Sequence, residues 1–495
     1  MNDRPLPAAV PRPALVDEIQ AYWANEAASF HMPGHKAGQG AHPLAHEIIG
    51  SAAIRADVSE MGGFDYLHSP EGNLLRAQNF AAELFGVDQT HFLINGSTVG
   101  NIAAIAATVH DDDKLLMFRG SHRSVFTAVV LTGATPVYVE PVYHPDLDAY
   151  FGADIQLASS ALERHPDIKA IHITRPSYYG LCCDLQPYVE LAHAHGIPLI
   201  VDEAHGAHFA FHPALPLSAT TGGADLIIQS THKTLGSLTQ SSMLHRRGSR
   251  VDALRLAQNL QMLQSSSPSA LLLLSLDITC AQMASEGYEL LEHTVQLAAC
   301  ARKQINTIGG LWCYGDDITH LYGIDTYDQT KLVIDVHEIG ITGFAASAWL
   351  RSQKGIGVEL ADFRRIVCSF TIGDTEQTCA QLVASLQDLA QAHRHGEAAH
   401  QAAPSIQLPG IPEMAVSPRR ATSMPSFAAT LHQAIGRVCA EYVIPYPPGI
   451  PLVVPGERLD ADLIATLIRL QESGCKIVGP ADQSLRSLRV LQVDE

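Results

Sequence analysis

The segment Asp225–Thr234 (DLIIQSTHKT) places a lysine directly after a short apolar run. The run is rich in Leu and Ile and predicts a buried β-strand ending near Ser230, so Lys233 follows at the carboxyl end of that strand. Open α/β sheets bind their ligands at this edge. Partial desolvation there favours the neutral amine that forms a Schiff base, and Ser230 and His232 supply donors suited to a phosphate. Alone, an ordinary surface lysine would explain the same pattern.

The sequence on both sides of this segment alternates between strand and helix patterns, from about residue 74 to residue 244. Further runs rich in Val, Ile and Leu predict strands at Lys114–Phe118, Pro136–Glu140, Lys169–Thr174 and Pro198–Asp202. Helical patterns such as Leu185–His195 lie between them. This alternation predicts an α/β fold with a mostly parallel central sheet that is covered on both faces.

The remainder of the 495 residues suggests several domains, since a chain of this length can bury more than one core. A long helical pattern runs from Ser275 to Ile308, and a mixed α+β region follows it. The predicted parts are an N-terminal segment with active-site loops (1–73), a large domain (74–300), a small α+β domain (301–391), a linker rich in Ala, Pro, Gln and His (392–425) and a C-terminal domain (426–495).

Composition limits the classes of partner that the protein is expected to bind. The chain has 51 acidic and 32 basic residues and a formal net charge of −19, which disfavours nucleic acid. No stretch approaches the ~20 apolar residues of a membrane span, and the N-terminus lacks the apolar core of a signal peptide. The nine cysteines show no C-x-x-C spacing. These features predict a cytoplasmic protein without a nucleic-acid or membrane partner.

A second predicted strand ends in a carboxylate, at Asp202 in the segment Leu199–Gly206 (LIVDEAHG). A buried carboxylate needs a partner. The protonated pyridine nitrogen of pyridoxal phosphate is a suitable one, because that cofactor acts as an electron sink only while the nitrogen stays protonated. An isolated Asp at a strand end is more often a helix cap. Its position 31 residues before Lys233 makes coincidence a poor explanation.

Two further segments fit the same cofactor more weakly. Asn95–Asn101 (NGSTVGN) opens an apolar helix with glycines, including Gly96, and with hydroxyl groups that suit an anion at a helix N-terminus. Such turns also cap helices that bind nothing. His122, after the strand Lys114–Phe118, could stack on a cofactor ring or merely cap a helix. The dinucleotide-binding and P-loop fingerprints are absent, and no H-E-x-x-H or other metal-ligand spacing occurs.

Eight motifs in order resemble the bacterial ornithine/lysine/arginine decarboxylases, over about residues 28 to 480. They are FHMPGHKAG (Phe30–Gly38), SEMGGFDYLHSPEG (Ser59–Gly72), NGSTVGN, SHRSV, RPSYYG (Arg175–Gly180), VDEAHGAHF, STHKTLGSLTQSSMLH (Ser230–His245) and YPPGIPLVVPGE (Tyr446–Glu457). The size is similar to the short branch of this family, which lacks an N-terminal flavodoxin-like wing domain and includes arginine decarboxylases. The Gly120–Ser124 segment departs from the family pattern, with arginine at 123 where lysine is expected.

The resemblance implies pyridoxal-phosphate-dependent fold type I, the aspartate-aminotransferase fold. In this family Lys233 would form the Schiff base, Asp202 would pair with the pyridine nitrogen and His122 would stack on the ring. The phosphate would be held by Ser97, Thr98, Ser230 and His232. His205 follows the DEAH pattern of the short branch, whereas the wing-bearing enzymes resemble Asp-x-Ala-Trp, and we expect it among the catalytic and cofactor-binding residues.

The resemblance also implies a homodimer, or a larger assembly of dimers, with active sites between subunits. The HMPGHK loop and the Glu60–His68 segment are candidates for lining the partner's site. A basic amino-acid substrate needs an anion at its distal end, and the candidates are Glu60, Asp65 and Glu359. Each of these carboxylates could equally be an ordinary surface acid or cap.

The favoured reaction is decarboxylation of a basic amino acid, arginine first and then lysine or ornithine, to an amine and CO2. An aminotransferase or another lyase on the same cofactor is the alternative, which the lack of a recognisable arginine clamp for the α-carboxylate disfavours. A non-catalytic regulatory relative is a third hypothesis. The presence of both Lys233 and Asp202 speaks against it.

Overall fold

A computed structural model describes residues 12–25, 28–147, 149–393, 409–446 and 449–492. Residues 394–408 of the predicted linker and residues 447–448 of the motif YPPGIPLVVPGE lie outside the described residues.

Helices and strands alternate along the described residues. The helices are α1 Ala14–Asn25, α2 Pro43–Ala45, α3 Ser51–Ala56, α4 Asn73–Phe85, α5 Gly96–Thr108, α6 Arg123–Thr132, α7 Ile155–Arg164, α8 Gln186–Ala194, α9 Ala219–Gly222, α10 Thr231–Thr234, α11 Ala253–Leu263, α12 Ala270–Ile305, α13 Gly343–Trp349, α14 Glu376–His393, α15 Pro418–Ser423, α16 Leu431–Ala434 and α17 Ala461–Glu472. The strands are β1 Gln89–Leu93, β2 Lys114–Phe118, β3 Thr135–Val139, β4 Pro141–His144, β5 Ala149–Ala153, β6 Ile168–Thr174, β7 Leu181–Cys182, β8 Leu199–Asp202, β9 Leu226–Gln229, β10 Ser242–Arg246, β11 Trp312–Cys313, β12 Thr326–Tyr327, β13 Lys331–Asp335, β14 Leu360–Ala361, β15 Arg365–Ser369, β16 Ser426–Thr430, β17 Ile444–Tyr446, β18 Lys476–Val478 and β19 Ser487–Leu491.

The chain divides into two compact units. The first comprises Met1–Ala107 and Pro198–Glu292, and the second comprises Thr108–Ile197 and His293–Glu495.

Strands of the first unit run in the order β1-β10-β9-β8. β8 and β9 are parallel, with Asp202 opposite Ile228, and both strands are buried throughout. β10 is antiparallel to β9 and to β1. Because parallel strands end at the same edge, the residues that follow β8 and β9 share one edge of the sheet. The short helix α10, which carries Lys233, begins at that edge.

The second unit contains a parallel sheet in the order β6-β2-β3. It also contains an antiparallel sheet in the order β11-β13-β15-β14, whose core residues Leu332, Ile334 and Ile366 are fully buried. A further core gathers around α17, where Leu463 and Leu467 are fully buried. The antiparallel sheet and its core have the α+β character expected after the long helix.

The predicted α/β class with a mostly parallel central sheet is confirmed. The strand predicted at Lys114–Phe118 matches β2 residue for residue, and the other four predictions overlap β3, β6, β8 and β9 to within a residue or two at each end. The domain boundaries stay a prediction. No helix of the described residues is long and apolar enough to cross a membrane.

The described part of the predicted linker has regular structure of its own. It contains α15, in which Arg419 donates from Nη1 to Asp111 Oδ1 at 2.9 Å and from Nε to the Val130 carbonyl at 3.1 Å. Both partners belong to the same unit as Arg419. Proline-rich composition therefore did not reveal these tertiary contacts.

Candidate functional site

Lys233 lies beside a histidine of the neighbouring strand end. Its Nζ is 3.1 Å from Nε2 of His205, a hydrogen-bond distance. The lysine is exposed, whereas His205 is buried. α10 starts immediately after β9, and the turn after β8 carries His205, so the parallel register brings the two side chains together. The structure thus brings two of the predicted site residues together, while their roles stay a prediction.

Asp202 is a buried carboxylate whose donors within the described residues are neutral. Asn101 Nδ2 donates to its Oδ2 at 2.8 Å, and the Ala204 amide donates to Oδ1 at 3.2 Å. Only 3 % of the residue is exposed. These two neutral donors occupy only some of the lone pairs with which an ionised carboxylate can accept hydrogen bonds, and they do not neutralise its charge. A cationic partner would do both.

Hydroxyl groups from two elements meet at the N-terminus of α5. Ser97 Oγ lies 2.7 Å from Ser230 Oγ, and both residues are buried, while Thr98 in the same turn is exposed. α5 begins at Gly96, whose φ of +67° suits glycine and lets the backbone turn into the helix. A helix start with free N–H groups and adjacent hydroxyls is a suitable anion site.

One ring nitrogen of His232 forms a hydrogen bond within the protein. Nδ1 lies 2.7 Å from the Ser241 carbonyl and must donate to it, so Nε2 is the nitrogen that can address a phosphate. Burial lowers the pKa of His232, the bond to Ser241 raises it, and the Lys233 charge lowers it further, with a net downward shift.

His122 belongs to the second unit and caps α6. The Ser124 amide donates to its Nδ1 at 3.2 Å, and Ser124 Oγ lies 2.8 Å from the same atom. The capping interpretation is therefore present in the structure. Its stacking on a cofactor stays a prediction.

The three candidate substrate carboxylates differ in their surroundings. Asp65 accepts five backbone N–H bonds, between 2.8 and 3.4 Å, from residues 66 to 75, so it organises the loop before α4. Glu60 is half-buried, and its Oε2 is buried without a hydrogen-bond partner among the described residues. Glu359, in the second unit, is exposed. Of the two candidates in the first unit, only Glu60 keeps an oxygen for a ligand.

Two hydrogen-bonded contacts beside the site residues were not predicted from the sequence. Asn101, the donor to Asp202, lies four residues after Ser97, and this spacing places both on one face of α5. That signal was readable from the sequence. Glu203 and Gln229 are fully buried, and their side chains form a hydrogen bond of 2.8 Å. No spacing in the sequence predicts this contact.

The first-unit residues fit one kind of cofactor. Lys233 offers an amine to an aldehyde, Asp202 a carboxylate to a basic ring nitrogen, and the start of α5 with Ser97 and Ser230 an anion site for a phosphate. Pyridoxal phosphate carries all three of these partner groups on one ring.

Family models and sequence relatives identify one family. The family model described as Orn/Lys/Arg decarboxylase, major domain, matches residues 13–378, and the model for its C-terminal domain matches residues 406–479. Arginine decarboxylase of Halalkalibacterium halodurans is 40% identical over 97% of this chain and 98% of its own length. Arginine decarboxylase of Bacillus subtilis is 38% identical over 97% of both chains.

Among solved structures, the constitutive lysine decarboxylase of E. coli superposes with a TM-score of 0.85, over 97% of this chain and 82% of that chain, at 21% identity. At this identity the likeness shows the fold.

Proposed function

The chain belongs to the ornithine/lysine/arginine decarboxylase family, and from that premise we propose that it converts arginine to agmatine and CO2 with pyridoxal 5′-phosphate as cofactor. Lysine and ornithine are the next candidates as substrate. Relatives named arginine decarboxylase, 38–40% identical over nearly the whole chain, support the choice of arginine. Family membership favours decarboxylation over transamination.

One observation in the structure carries the proposal. The buried carboxylate of Asp202 and the amine of Lys233 follow adjacent parallel strands at one edge of the sheet. When bound, the cofactor accepts into its ring the electron pair left on Cα as CO2 departs. Asp202 would hold the positive charge on the ring nitrogen, and Asn101 orients Asp202 for that contact.

Proton handling falls to Lys233 and His205. Their nitrogens lie 3.1 Å apart, so one can pass a proton to the other. We expect one of the two to return a proton to Cα after CO2 has left.

The remaining first-unit residues would bind the cofactor and fix its orientation. Ser97, Ser230 and the N–H groups at the start of α5 would hold the phosphate, with Thr98 and His232 as further donors. Fixing the cofactor at its phosphate and ring nitrogen leaves its orientation little freedom. Such positioning selects which bond at Cα breaks.

Glu60 is the proposed contact of the distal cation. Its Oε2 is buried and lacks a hydrogen-bond partner among the described residues, so a guanidinium or ammonium would satisfy it. A guanidinium could use both carboxylate oxygens, whereas an ammonium makes a point contact.

We further propose that the protein is a homodimer. Residues 30–61, which hold one family motif and the start of a second, expose several large apolar side chains: Phe30 (96 %), Ile48 (79 %), Met61 (65 %) and Ile49 (59 %). Exposed apolar groups at this density are typical of an interface. A second copy of the chain is the proposed occupant, and location in the cytoplasm stays a prediction.

The test is product analysis by mass spectrometry. Purified protein loaded with pyridoxal phosphate is offered arginine, lysine and ornithine separately, with Lys233→Ala as the inactive control. Agmatine as the dominant product supports the proposal, and cadaverine or putrescine reassigns the substrate. No amine from any of the three, with the cofactor bound, would contradict the proposed reaction.

A further inference from the structure

Four buried polar side chains form a hydrogen-bonded chain across four strands of the first unit. We call Thr90, His245, Gln229 and Glu203 the strand-end bridge. Thr90 Oγ1 lies 2.9 Å from His245 Nδ1, His245 Nε2 lies 3.0 Å from Gln229 Oε1, and Gln229 Nε2 donates to Glu203 Oε2 at 2.8 Å. None of the four residues is more than 5 % exposed.

The bridge begins where the backbone ladder between β8 and β9 stops. The last ladder bond runs from the Glu203 amide to the Ile228 carbonyl, at 2.9 Å. Beyond it the two chains diverge, one into the turn with His205 and the other into α10 with Lys233. The Glu203–Gln229 bond is the side-chain link that ties them at that point.

The members of the bridge alternate with the proposed cofactor residues. Asp202 and Ser230 bond to side chains of α5, namely Asn101 and Ser97. Their chain neighbours Glu203 and Gln229 bond to each other instead, and Glu203 also accepts from the Ala219 amide at the start of α9. Successive side chains of a strand point to opposite faces, so the bridge supports the strand ends from the face opposite the cofactor residues.

The direction of each hydrogen bond is determined. The Gln229 amide donates to the Glu203 carboxylate, so its oxygen faces His245 and His245 must donate from Nε2. Nδ1 of His245 then accepts from the Thr90 hydroxyl. Burial lowers the pKa of His245 to about 3, which keeps this neutral form over the ordinary pH range.

We propose that Glu203 and Gln229 are positioning residues that fix the distance between Asp202 and Lys233, and so the fit of both to the cofactor. The inference rests on the proposed function, since it names residues that serve the same site. Reacting groups displaced by about 1 Å can lose on the order of 100-fold in rate. Mispositioning should therefore lower kcat while leaving the cofactor bound.

Gln229→Glu is the variant that breaks the bridge. It sets two carboxylates against each other in a buried site, where they repel strongly at any pH at which both are ionised. Adding Glu203→Gln exchanges the two residues and restores a donor facing an acceptor, while the carboxylate introduced at position 229 can still accept from His245. Glu292→Gln is the matched control, because it changes the same kind of side chain, bonded at 2.8 Å to the buried His212 and remote from both strand ends in sequence.

The experiment measures cofactor content, the visible absorbance of the bound cofactor against pH, and kcat and KM with arginine. We expect Gln229→Glu to bind the cofactor, to shift the pH dependence of its absorbance and to lose about 10- to 100-fold in kcat. The exchanged double variant and Glu292→Gln should both resemble the wild type.

A wild-type kcat and absorbance in Gln229→Glu would overturn the inference. A double variant that folds, binds the cofactor and stays as impaired as the single variant would also overturn it. If Gln229→Glu does not fold, the double variant decides alone, and wild-type kcat there supports the inference. Failure of the proposed function is separate, since then the wild type itself would show no cofactor absorbance or no amine product.

Discussion

Asp202 shows how much a single side chain depends on its neighbours. The residue is 3 % exposed, and the donors to its carboxylate, from Asn101 and Ala204, are both neutral. These contacts orient the group without supplying a counter-charge. A protonated ring nitrogen bound there would be attracted strongly to the carboxylate, because water is nearly excluded and screens the two charges little.

Asp202→Asn should keep the cofactor bound and lower kcat by about 10²- to 10³-fold, since a neutral amide cannot stabilise the ring nitrogen's positive charge. The measurement is kcat with arginine, alongside cofactor content from absorbance. Asn101→Ala is a graded companion variant, because it keeps the carboxylate and removes one of the two hydrogen bonds that orient it. A wild-type rate in Asp202→Asn would mean that another group holds the ring nitrogen.

At the scale of elements, a buried ion pair ties the C-terminal motif YPPGIPLVVPGE to the end of β2. Arg119 Nη2 donates to Glu457 Oε2 at 2.8 Å, and also to the Leu452 carbonyl at 2.9 Å. Glu457 is fully buried, and burial raises its pKa against the lowering effect of Arg119. The guanidinium also stacks over Tyr138, 4.8 Å from the ring centre. The motif therefore has a structural role in the second unit.

Arg119→Met should lower the free energy of unfolding by about 3–5 kcal/mol, because it leaves the buried Glu457 without a cation. Arg119→Met combined with Glu457→Met should recover most of that loss, since no buried charge remains. Denaturant unfolding measures both. The exposed pair of Arg458 and Glu413 is the control, and Arg458→Met should cost no more than about 1 kcal/mol. A double variant less stable than Arg119→Met would contradict this account.

β1 and β10 each contain a histidine, the half-buried His91 and the fully buried His245, that we expect to make the first unit sensitive to acid. Burial lowers the pKa of His91 to about 4, helped by the charge of Arg246, and lowers that of His245 to about 3. The ordinary value is 6.5. Between pH 6.5 and about 4 the unfolded chain therefore binds protons that the native state excludes, so stability falls as the pH falls.

His91→Gln should make this acid dependence shallower. One titrating histidine contributes up to about 1.4 kcal/mol per pH unit in that window, and the variant removes this contribution. The free energy of unfolding measured at several pH values from about 7 to about 4 tests it, with the exposed His432→Gln as control. An unchanged slope in His91→Gln would show that other groups cause the acid sensitivity.

At the scale of the whole molecule, the exposed apolar side chains of residues 30–61 predict the assembly. Ile48→Asp should weaken the proposed dimer, because it places a charge where an apolar contact is expected. Sedimentation across a range of concentrations measures the dissociation. Leu157→Asp on α7 changes a side chain that is 43 % exposed and should leave the assembly intact. A dimer equally stable in both variants would exclude this surface as the interface.

The sequence predicted the fold class and the main strands, because buried parallel strands are continuous runs of Val, Ile and Leu that local composition reveals. The strand-edge argument proposed Lys233 and Asp202 as site residues, because residues at the carboxyl ends of parallel strands share an edge of the sheet, and the family resemblance added His205. The sequence did not predict the strand-end bridge, since Thr90 and His245 are 155 residues apart and meet only through strand pairing. It did not separate Asp65, which accepts hydrogen bonds from the amides of residues 66 to 75, from Glu60, because the path of an irregular loop decides which carboxylate its amides reach.

The role of Lys233 is tested by locating the cofactor on the chain. Protein loaded with pyridoxal phosphate is reduced with borohydride, which fixes a lysine-bound cofactor as a stable adduct, and the modified peptide is identified by mass spectrometry. We expect a single modified residue, Lys233, and no adduct in Lys233→Ala. An adduct on another lysine, or none in a wild-type protein that binds the cofactor, would contradict it.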